Sequence, residues 1–373
     1  MVSLQDIATI NPKSDPLQNT FIYIDLEAVE KGELRKIQEI MREEAPSRAQ
    51  RVIDNNDILF QCVRPYQKNN YIHRILNTSN QQWVASTGYA QIRTTELPNY
   101  IYHLLNTDEF NRKVMVRCTG SSYPAINSED LATIHLYYTP DKKEQLKISR
   151  LLDLLDKRIA TQNKIIEDLK KLKSAISKQV FTQEPNGWSR LDTLFSKGKA
   201  GGTPTSTNKE YYNGEIPFLS INDITKQGKY VRYTENHLSQ SGLENSSAWV
   251  VPKYSLIMSM YASVGLVTIN EIPITTSQAM FAMQIKDRDL LDYLYYYLSY
   301  FNYRYIHKYL ETGTQSNINA DIVRGIMIPT YGHSRNMEIA STLQGIDVKI
   351  DNELSVLKLF NMQKNYLLSQ MFI

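Results

Sequence analysis

The residues that could catalyse a reaction are few in this sequence, and their spacing argues against a shared active site. Pro140-Asp141 and Asp168-Leu169-Lys170 form a nominal metal-dependent nuclease pattern. The residues between them have a helical pattern, so the carboxylates would lie about 40 Å apart at about 1.5 Å per residue. A metal ion could not bind both. The sequence also lacks a GxxxxGK[ST] phosphate loop, HExxH, GxSxG and the Asn/Asp-Pro-Pro-Tyr/Phe tetrapeptide of amino-methyltransferases.

Hydrogen-bonding side chains are concentrated instead in short segments between apolar runs. Asn and Gln can pair bidentately with adenine and Arg with guanine, whereas Lys suits phosphate. The candidates chosen on this basis are Arg64, Tyr66, Lys68, Asn69, Thr87, Ser277, Gln278, Gln315, Ser316 and Asn317. The alternative interpretation is that these residues cap turns or pack at strand ends, as Thr, Asn and Ser commonly do.

An internal repeat supplies the elements that must position these segments. Apolar residues recur in steps of four, three and four at Ile148, Leu152, Leu155 and Ile159, and again at Ile339, Leu343, Ile346 and Ile350. This spacing predicts two long amphipathic helices, residues 141–183 and 335–373. We expect the two helices to pair with each other as an antiparallel coiled coil. Separate outside partners for each helix are the alternative.

Each predicted helix follows a mixed segment, residues 1–140 and 187–333, with short apolar runs typical of strands. Glu184-Pro185-Asn186-Gly187 breaks the first helix and separates the halves. The predicted fold class is therefore α+β, with two mixed α/β domains separated by two long helices that form an antiparallel coiled coil, in a pseudo-twofold internal repeat.

Length and composition are consistent with this organisation. The 373 residues exceed the usual size of a single core, and 42% hydrophobic with 22% charged residues is typical of a folded chain. A net charge of +3 is too weak for indiscriminate polyanion binding, so any DNA contact must use local patches. Two cysteines give no disulfide framework or zinc site. Without a signal peptide or a long apolar segment, we expect a cytoplasmic protein.

A dense run of tyrosines between Tyr293 and Tyr309 could suggest base stacking. Eight tyrosines in this stretch cannot all face one way on a helix. We expect most of them to lie in an amphipathic core with their hydroxyls reaching the surface.

The order of motifs along essentially the whole chain resembles the specificity subunits of type I restriction-modification systems. The motifs of the second half are Gly201-Gly202-Thr203-Pro204, Tyr211-Tyr212-Asn213-Gly214, Asn222-Asp223-Ile224, Ala262-Ser263-Val264-Gly265, Thr276-Ser277-Gln278-Ala279 and Gly313-Thr314-Gln315-Ser316-Asn317. The first half matches another branch through Val63-Arg64-Pro65-Tyr66 and Ala85-Ser86-Thr87-Gly88-Tyr89. It lacks the Gly-Gly-Thr-Pro opening, which fits a target with two unlike half-sites.

This resemblance implies a DNA-recognition subunit that is not itself an enzyme. It would read a bipartite, asymmetric double-stranded DNA target with one domain per half-site. Two methyltransferase (M) subunits and two restriction/translocase (R) subunits would be its protein partners. S-adenosylmethionine, ATP and Mg²⁺ would belong to those partners, so the resemblance implies no cofactor, metal or catalytic residue in this chain.

The matching motifs and loops add further DNA-binding candidates to those chosen by side-chain chemistry. They are Ser121, Ser122, Tyr123, Thr203, Asn222, Ser263 and Thr314. The alternatives are a self-contained DNA-modifying enzyme with an unrecognised active site, or a plain dimerisation module.

Overall fold

A computed structural model describes residues 1–75, 81–261, 263–309 and 317–372. The chain divides into two compact units, Met1–Lys164 with Leu354–Ile373, and Ile165–Glu353. Each unit combines one mixed α/β segment with a part of both long helices. None of the described helices has an apolar stretch that could span a bilayer.

The first unit contains two four-stranded sheets and several short helices. Its strands are β1 (Val2–Ser3), β2 (Ala8–Ile10), β3 (Thr20–Ile24), β4 (Val29–Glu30), β5 (Glu33–Leu34), β6 (Gln38–Met41), β7 (Ala49–Ile53), β8 (Ile58–Gln61), β9 (Tyr71–Ile72), β10 (Gln82–Ser86), β11 (Tyr89–Thr94) and β12 (His135–Leu136). Its helices are α1 (Leu4–Ile7), α2 (Pro98–Leu105), α3 (Asp108–Arg117), α4 (Ser128–Ala132) and the beginning of α5 (Lys142–Phe181).

The second unit contains a five-stranded and a three-stranded sheet. Its strands are β13 (Gly187–Arg190), β14 (Phe195–Ala200), β15 (Tyr212–Leu219), β16 (Tyr230–Val231), β17 (Asn236–Leu238), β18 (Leu256–Ser259), β19 (Val267–Asn270), β20 (Thr275–Thr276), β21 (Met280–Ile285) and β22 (Met327–Thr330). Its helices are α6 (Leu191–Leu194), α7 (Ile221–Gln227), α8 (Gln240–Glu244), α9 (Leu291–Tyr305), α10 (Ala320–Gly325) and the beginning of α11 (His333–Met371).

The sheets of the two units are built on the same plan. In the first unit the strand orders are β6-β3-β10-β7 and β2-β11-β8-β9, and β3 and β10 are parallel. In the second unit they are β17-β15-β20 and β14-β21-β18-β19-β16, and β15 and β20 are parallel. β8 and β18 are buried at every position, as expected for strands covered on both faces.

The strand register shows which residues of the two units are equivalent. In the parallel pairs, Ala85 lies opposite Ile24 and Thr276 lies opposite Leu219. In the antiparallel pairs that follow, Tyr89 lies opposite Gln61 and Met280 lies opposite Ser259. The internal repeat predicted from the long helices therefore extends through both sheets.

The long helices confirm the apolar pattern of the sequence. In the first unit, Leu152 of α5 and Leu368 of α11 are buried in one apolar cluster, and Asp156 Oδ1 lies 2.5 Å from Lys364 Nζ. Because residue numbers rise on α5 as they fall on α11, the helices are antiparallel within this unit.

The second unit repeats the same pairing of the two helices. Leu343 of α11 is fully buried, with Val180 and Ile176 of α5 packed against its cluster, and Lys173 Nζ lies 2.5 Å from Asp347 Oδ1. The helices are antiparallel here too. The ion pair has the same two residue types as in the first unit, with the helices exchanged.

Most tyrosines of α9 are core residues, as expected, and Tyr303 is exposed. The prediction that the hydroxyls reach the surface was wrong for Tyr293 and Tyr297. The hydroxyl of Tyr293 donates to the carbonyl of Pro329 at 2.6 Å, and that of Tyr297 donates to the carbonyl of Met327 at 3.0 Å. Both acceptors belong to β22, whose buried carbonyls need donors. The hydroxyls therefore fix α9 to a strand instead of reaching solvent.

Candidate nucleic-acid interface

Two main-chain hydrogen bonds bring three candidate segments of the first unit together. The N–H of Cys62 donates to the carbonyl of Gly88 at 3.0 Å, and the N–H of Ile126 donates to the carbonyl of Cys62 at 3.1 Å. The segment that follows β8 is thus held between the β10–β11 turn and the loop at residues 119–125. We call these three segments the first-unit interface.

Arg64 and Tyr123 form the centre of this first-unit interface. Arg64 has left-handed backbone angles, and its N–H donates to the carbonyl of Pro124 at 2.7 Å. Its guanidinium lies over the ring of Tyr123, 4.3 Å from the centroid. Tyr123 is 62% exposed and the neighbouring Tyr66 is 52% exposed. A guanidinium held on an exposed aromatic ring can donate hydrogen bonds while its carbon stem stays fixed.

The loop at residues 119–125 presents the two candidate serines. Reciprocal main-chain bonds of 2.9 Å join Thr119 and Ala125 across its base. Gly120 has a φ of +89°, and a Cβ there would lie 2.9 Å from the carbonyl oxygen of Tyr123. A glycine permits this tight turn. Ser121 and Ser122 are exposed at its tip.

Lys68 and Asn69 have partners within the protein. Lys68 Nζ lies 2.6 Å from Asp108 Oδ1 and 3.2 Å from the carbonyl oxygen of Asn106. Asn69 Oδ1 accepts a hydrogen bond from the N–H of Lys31 at 3.0 Å. These bonds position the segment after β8. A DNA contact by Lys68 or Asn69 stays a prediction.

Thr87 lies at the point where the chain passes from one sheet of the first unit to the other. Its N–H donates to the carbonyl of Arg48 at 2.8 Å, which places an exposed arginine next to this turn. Arg48 was not among the sequence candidates, because nothing in its local pattern distinguishes it from a solvated loop residue.

The second unit uses the same main-chain bonds at the equivalent positions. The N–H of Met260 donates to the carbonyl of Ala279 at 2.7 Å, and the N–H of Ile318 donates to the carbonyl of Met260 at 3.1 Å. This arrangement brings three regions to one edge. Their candidate residues are Ser263, Ser277, Gln278 and Asn317. We call this edge the second-unit interface.

Thr203 joins the second-unit interface through the glycine pair that precedes it. The N–H of Gly202 donates to the carbonyl of Thr276 at 2.9 Å, and a Cβ on Gly201 would collide with the same carbonyl. The close approach requires glycine. It allows the Thr203 hydroxyl to hydrogen-bond to the side-chain oxygen of Gln278.

The remaining candidates are placed differently. Asn222 lies at the beginning of α7, just after β15, and its Nδ2 donates to Glu235 Oε2 at 2.9 Å. Ser263 is exposed, and its carbonyl accepts a bond from Ser259 Oγ at 2.6 Å. Thr314, Gln315 and Ser316 lie outside the described residues.

The chemistry of these edges is that of recognition. Among the described residues, no group of three or more His, Cys, Asp and Glu side chains could hold a metal ion. Burial raises the pKa of the Cys62 thiol to about 12, which keeps it protonated and weakly nucleophilic near neutral pH. Donors and acceptors on exposed loops, together with exposed aromatic rings, are the groups that these edges present.

Comparisons with known proteins agree with this picture. The model of the family "Type I restriction modification DNA specificity domain" matches residues 1–171 and again residues 185–357. The HindI specificity subunit of Haemophilus influenzae is 22% identical, with 82% of this chain and 80% of that protein covered. The MjaIX specificity subunit of Methanocaldococcus jannaschii is 26% identical, with 41% of this chain and 36% of that protein covered.

Solved structures show the same fold. A chain from a structure on complex assembly and conformational transition of the type I R-M system has a TM-score of 0.65 at 21% identity, with 99% of this chain and 96% of that chain covered. The type I restriction-modification S subunit of M. genitalium has a TM-score of 0.62 at 14% identity, with 100% and 95% covered.

Two repeated units with matching donor-rich edges and paired long helices define a DNA-recognition subunit. The chain belongs to the type I restriction-modification DNA specificity family, whose model matches both halves. The alternative of a self-contained DNA-modifying enzyme has no support in these similarities.

Proposed function

We propose that each unit reads one half of a bipartite, asymmetric DNA target and that the chain itself makes no covalent change in DNA. The observation that carries this proposal is that both units hold three loop segments with equivalent main-chain bonds but present different side chains there. An equivalent frame supports the same kind of contact with DNA in both units. Different donors and acceptors on that frame favour different base sequences.

Methylation and cleavage then belong to partner subunits. We propose two methyltransferase subunits per chain and two restriction/translocase subunits in the complete complex, acting on DNA in the cytoplasm. S-adenosylmethionine, ATP and Mg²⁺ would be bound by these partners. One methyltransferase for each repeat is the simplest stoichiometry for a chain with two related halves.

Exposed apolar residues on the long helices support protein partners. In the first unit, Leu154 of α5 and Leu359, Met362 and Tyr366 of α11 are about 60% exposed. In the second unit, exposed apolar residues are Ile165, Leu172 and Val348. Apolar side chains that stay open to water on a helix that already has a partner helix mark a further binding surface.

Exchange of one recognition segment tests the reading of half-sites. Residues 187–333 would be replaced by the matching segment of a relative, and methylated motifs would be mapped by sequencing a host that carries the complete system. We expect one half of the motif to change and the other half to persist. Exchange of residues 1–140 is the matched control and should change the opposite half. Changes in both halves, or in neither, would contradict the proposal.

Copurification tests the partner surface. The purified chain alone should neither methylate nor cleave DNA, and Leu359→Glu should reduce the methyltransferase recovered with it. Lys358→Glu, at an exposed neighbouring position, adds negative charge without removing apolar area and should retain the methyltransferase. If both variants recover the same amount of methyltransferase, the methyltransferase binds elsewhere on the chain. Robust methylation or cleavage by the isolated chain would overturn the scaffold role.

A further inference from the structure

Arg51 has a half-buried guanidinium for which the described residues provide no hydrogen-bond or ion-pair partner. It lies on β7 opposite Ala85 of β10. Its Nε is sealed from solvent and has no hydrogen-bond partner. Within the described part of the chain, no acceptor lies within bonding distance of the terminal nitrogens Nη1 and Nη2. Nη1 and Nη2 do not belong to the buried polar atoms that lack a partner, so both nitrogens are accessible to solvent.

The half-buried charge of Arg51 needs a partner that compensates for lost solvation. Charged side chains that leave water are normally paired, because partial desolvation without a partner destabilises the folded chain. Burial lowers the pKa of Arg51, which reflects this loss of solvation, although an arginine keeps its charge near neutral pH. No carboxylate forms an ion pair with Arg51 within the described residues. The compensating group is therefore expected from outside the chain.

Arg51 lies next to the first-unit interface. The strand β7 pairs with β10, whose end leads directly into Thr87, and the carbonyl of Arg48 accepts the N–H of Thr87 at 2.8 Å. Arg51 is also close enough to Cys62 for an electrostatic interaction between their side chains. Cys62 is the residue whose main chain joins the three segments of the interface.

The second unit shows that the sheet does not require a cation at this position. Val251 pairs with Ile274 there, as Ile53 pairs with Trp83 in the first unit. The residue two positions before Val251 is Trp249, which is thus the equivalent of Arg51. Trp249 is partly buried against an apolar cluster, and Lys197 Nζ lies 4.4 Å from the centroid of its ring. Its Nε1 is buried without a hydrogen-bond partner among the described residues. The sheet therefore accommodates a side chain without a charge of its own at this position.

We propose that Arg51 determines specificity by donating two hydrogen bonds to a guanine in the half-site bound by the first unit. The inference rests on the proposed function. Because Nε is buried, only the two terminal nitrogens are open to a ligand, and these two donors match the O6 and N7 acceptors of guanine. Arg48 is exposed and can follow the DNA backbone, whereas the half-buried stem of Arg51 fixes its direction.

The test uses the full chain in complex with its methyltransferase partner. Binding would be measured in competition with targets in which each base pair of the motif is changed in turn. We expect Arg51→Met to reduce discrimination at one guanine of the first half-site roughly 5- to 150-fold. Arg51→Lys should keep overall affinity but lose part of the discrimination, because lysine lacks the rigid planar fork that fixes the bidentate pair. Discrimination in the second half-site should persist, and it reports that the variants are folded.

Arg48→Met is the matched control for a phosphate contact, and it should weaken binding to all targets alike with a smaller salt dependence. If Arg51→Met behaves in the same way, the guanine contact is overturned. If both Arg51 variants retain full discrimination while the wild type reads two half-sites, the inference fails and the proposed function stands. A wild-type complex without a bipartite motif would contradict the proposed function itself.

Discussion

His73 and Asn270 occupy the same place in the two units, yet among the described residues the side chain of Asn270 has hydrogen-bond partners and that of His73 has none. The N–H of His73 donates to the carbonyl of Asp57, and the N–H of Asn270 donates to the carbonyl of Ser255. Both residues are fully buried. Because Ile72 lies opposite Ile58 and Ile269 lies opposite Leu256, the main chain is equivalent at the two positions that follow.

The side chains of this pair behave differently. Asn270 Nδ2 donates to the carbonyls of Pro252 and Ile272 at 2.8 Å, and its Oδ1 accepts the N–H of Ser255 at 2.8 Å. The ring of His73 packs against Trp83 with centroids 5.0 Å apart, and neither ring nitrogen has a hydrogen-bond partner within the described part of the chain.

This difference shows which features the two units share and which they do not. Main-chain hydrogen bonds set a frame that both units share, while buried polar side chains differ freely between the units. The second unit satisfies Asn270, whereas His73, the equivalent residue of the first unit, has ring nitrogens without partners among the described residues. Both units contain other buried polar atoms of this kind, for example at Arg51 and at Thr276. The first unit should therefore respond differently to substitution and to pH.

The largest expected effect is the difference in stability between variants of Asn270 and of His73. Asn270→Ala should lower the free energy of unfolding of the second unit by about 3 kcal/mol or more, because each buried group left without a partner costs about 1–3 kcal/mol. His73→Phe should change that of the first unit by less than about 1 kcal/mol, because it keeps the ring and removes unpaired nitrogens. Urea unfolding monitored by hydrogen exchange in each unit measures both. Equal losses of stability for the two variants would contradict the difference between His73 and Asn270.

A smaller effect is expected where the long helices pair. Asp347 accepts hydrogen bonds from Lys173 at 2.5 Å and from the hydroxyl of Tyr296 at 2.9 Å. Asp347→Asn should destabilise the second unit by about 1.5–3 kcal/mol, as expected for charge-assisted hydrogen bonds. The same unfolding experiment would report this change.

The matched variant in the first unit is Asp156→Asn. Asp156 pairs with Lys364, but its other oxygen lies 4.0 Å from His103 Nδ1. The pair is about as exposed as Lys173–Asp347, but Asp156 has one close partner instead of two. The expected loss is therefore only about 0.5–1 kcal/mol. A larger loss of stability for Asp156→Asn than for Asp347→Asn would show that the number of hydrogen bonds to the aspartate does not determine the strength of each helix contact.

A further expected effect is a pH dependence of the first unit. Burial lowers the pKa of His73 to about 4, against about 6.5 in an unfolded chain. Between these values the unfolded chain binds a proton that the folded chain does not, so stability falls as pH decreases through this window. We expect a loss on the order of 1–2 kcal/mol at pH 5.

Urea unfolding at pH 7 and pH 5 tests this dependence, with His73→Phe as the control that lacks the titrating group. The pH-dependent loss should shrink in the variant. Asn270 does not titrate, so the second unit should lack this contribution. An unchanged pH dependence in His73→Phe would show that His73 is not its source.

The sequence alone determined the two long helices and the order of the elements around them. Apolar steps of three and four are local, so the 141–183 and 335–373 predictions agree with Lys142–Phe181 and His333–Met371 to within two residues at each end. The glycine pair before Thr203 and the motif around Gln278 were also visible in the sequence, but their contact was not.

Only the tertiary structure decided which residues of the two units are equivalent. The difference in residue number is 191 between Tyr89 and Met280 but 198 between Gln61 and Ser259, which lie opposite them. A search at one fixed offset therefore finds the helices and misses the equivalence of Arg51 with Trp249. Loop lengths between strands vary at little energetic cost, whereas strand register is fixed by main-chain hydrogen bonds and by which face is buried. Partners distant in sequence, such as Lys68 and Asp108 or Arg64 and Tyr123, follow from that register and not from any local pattern.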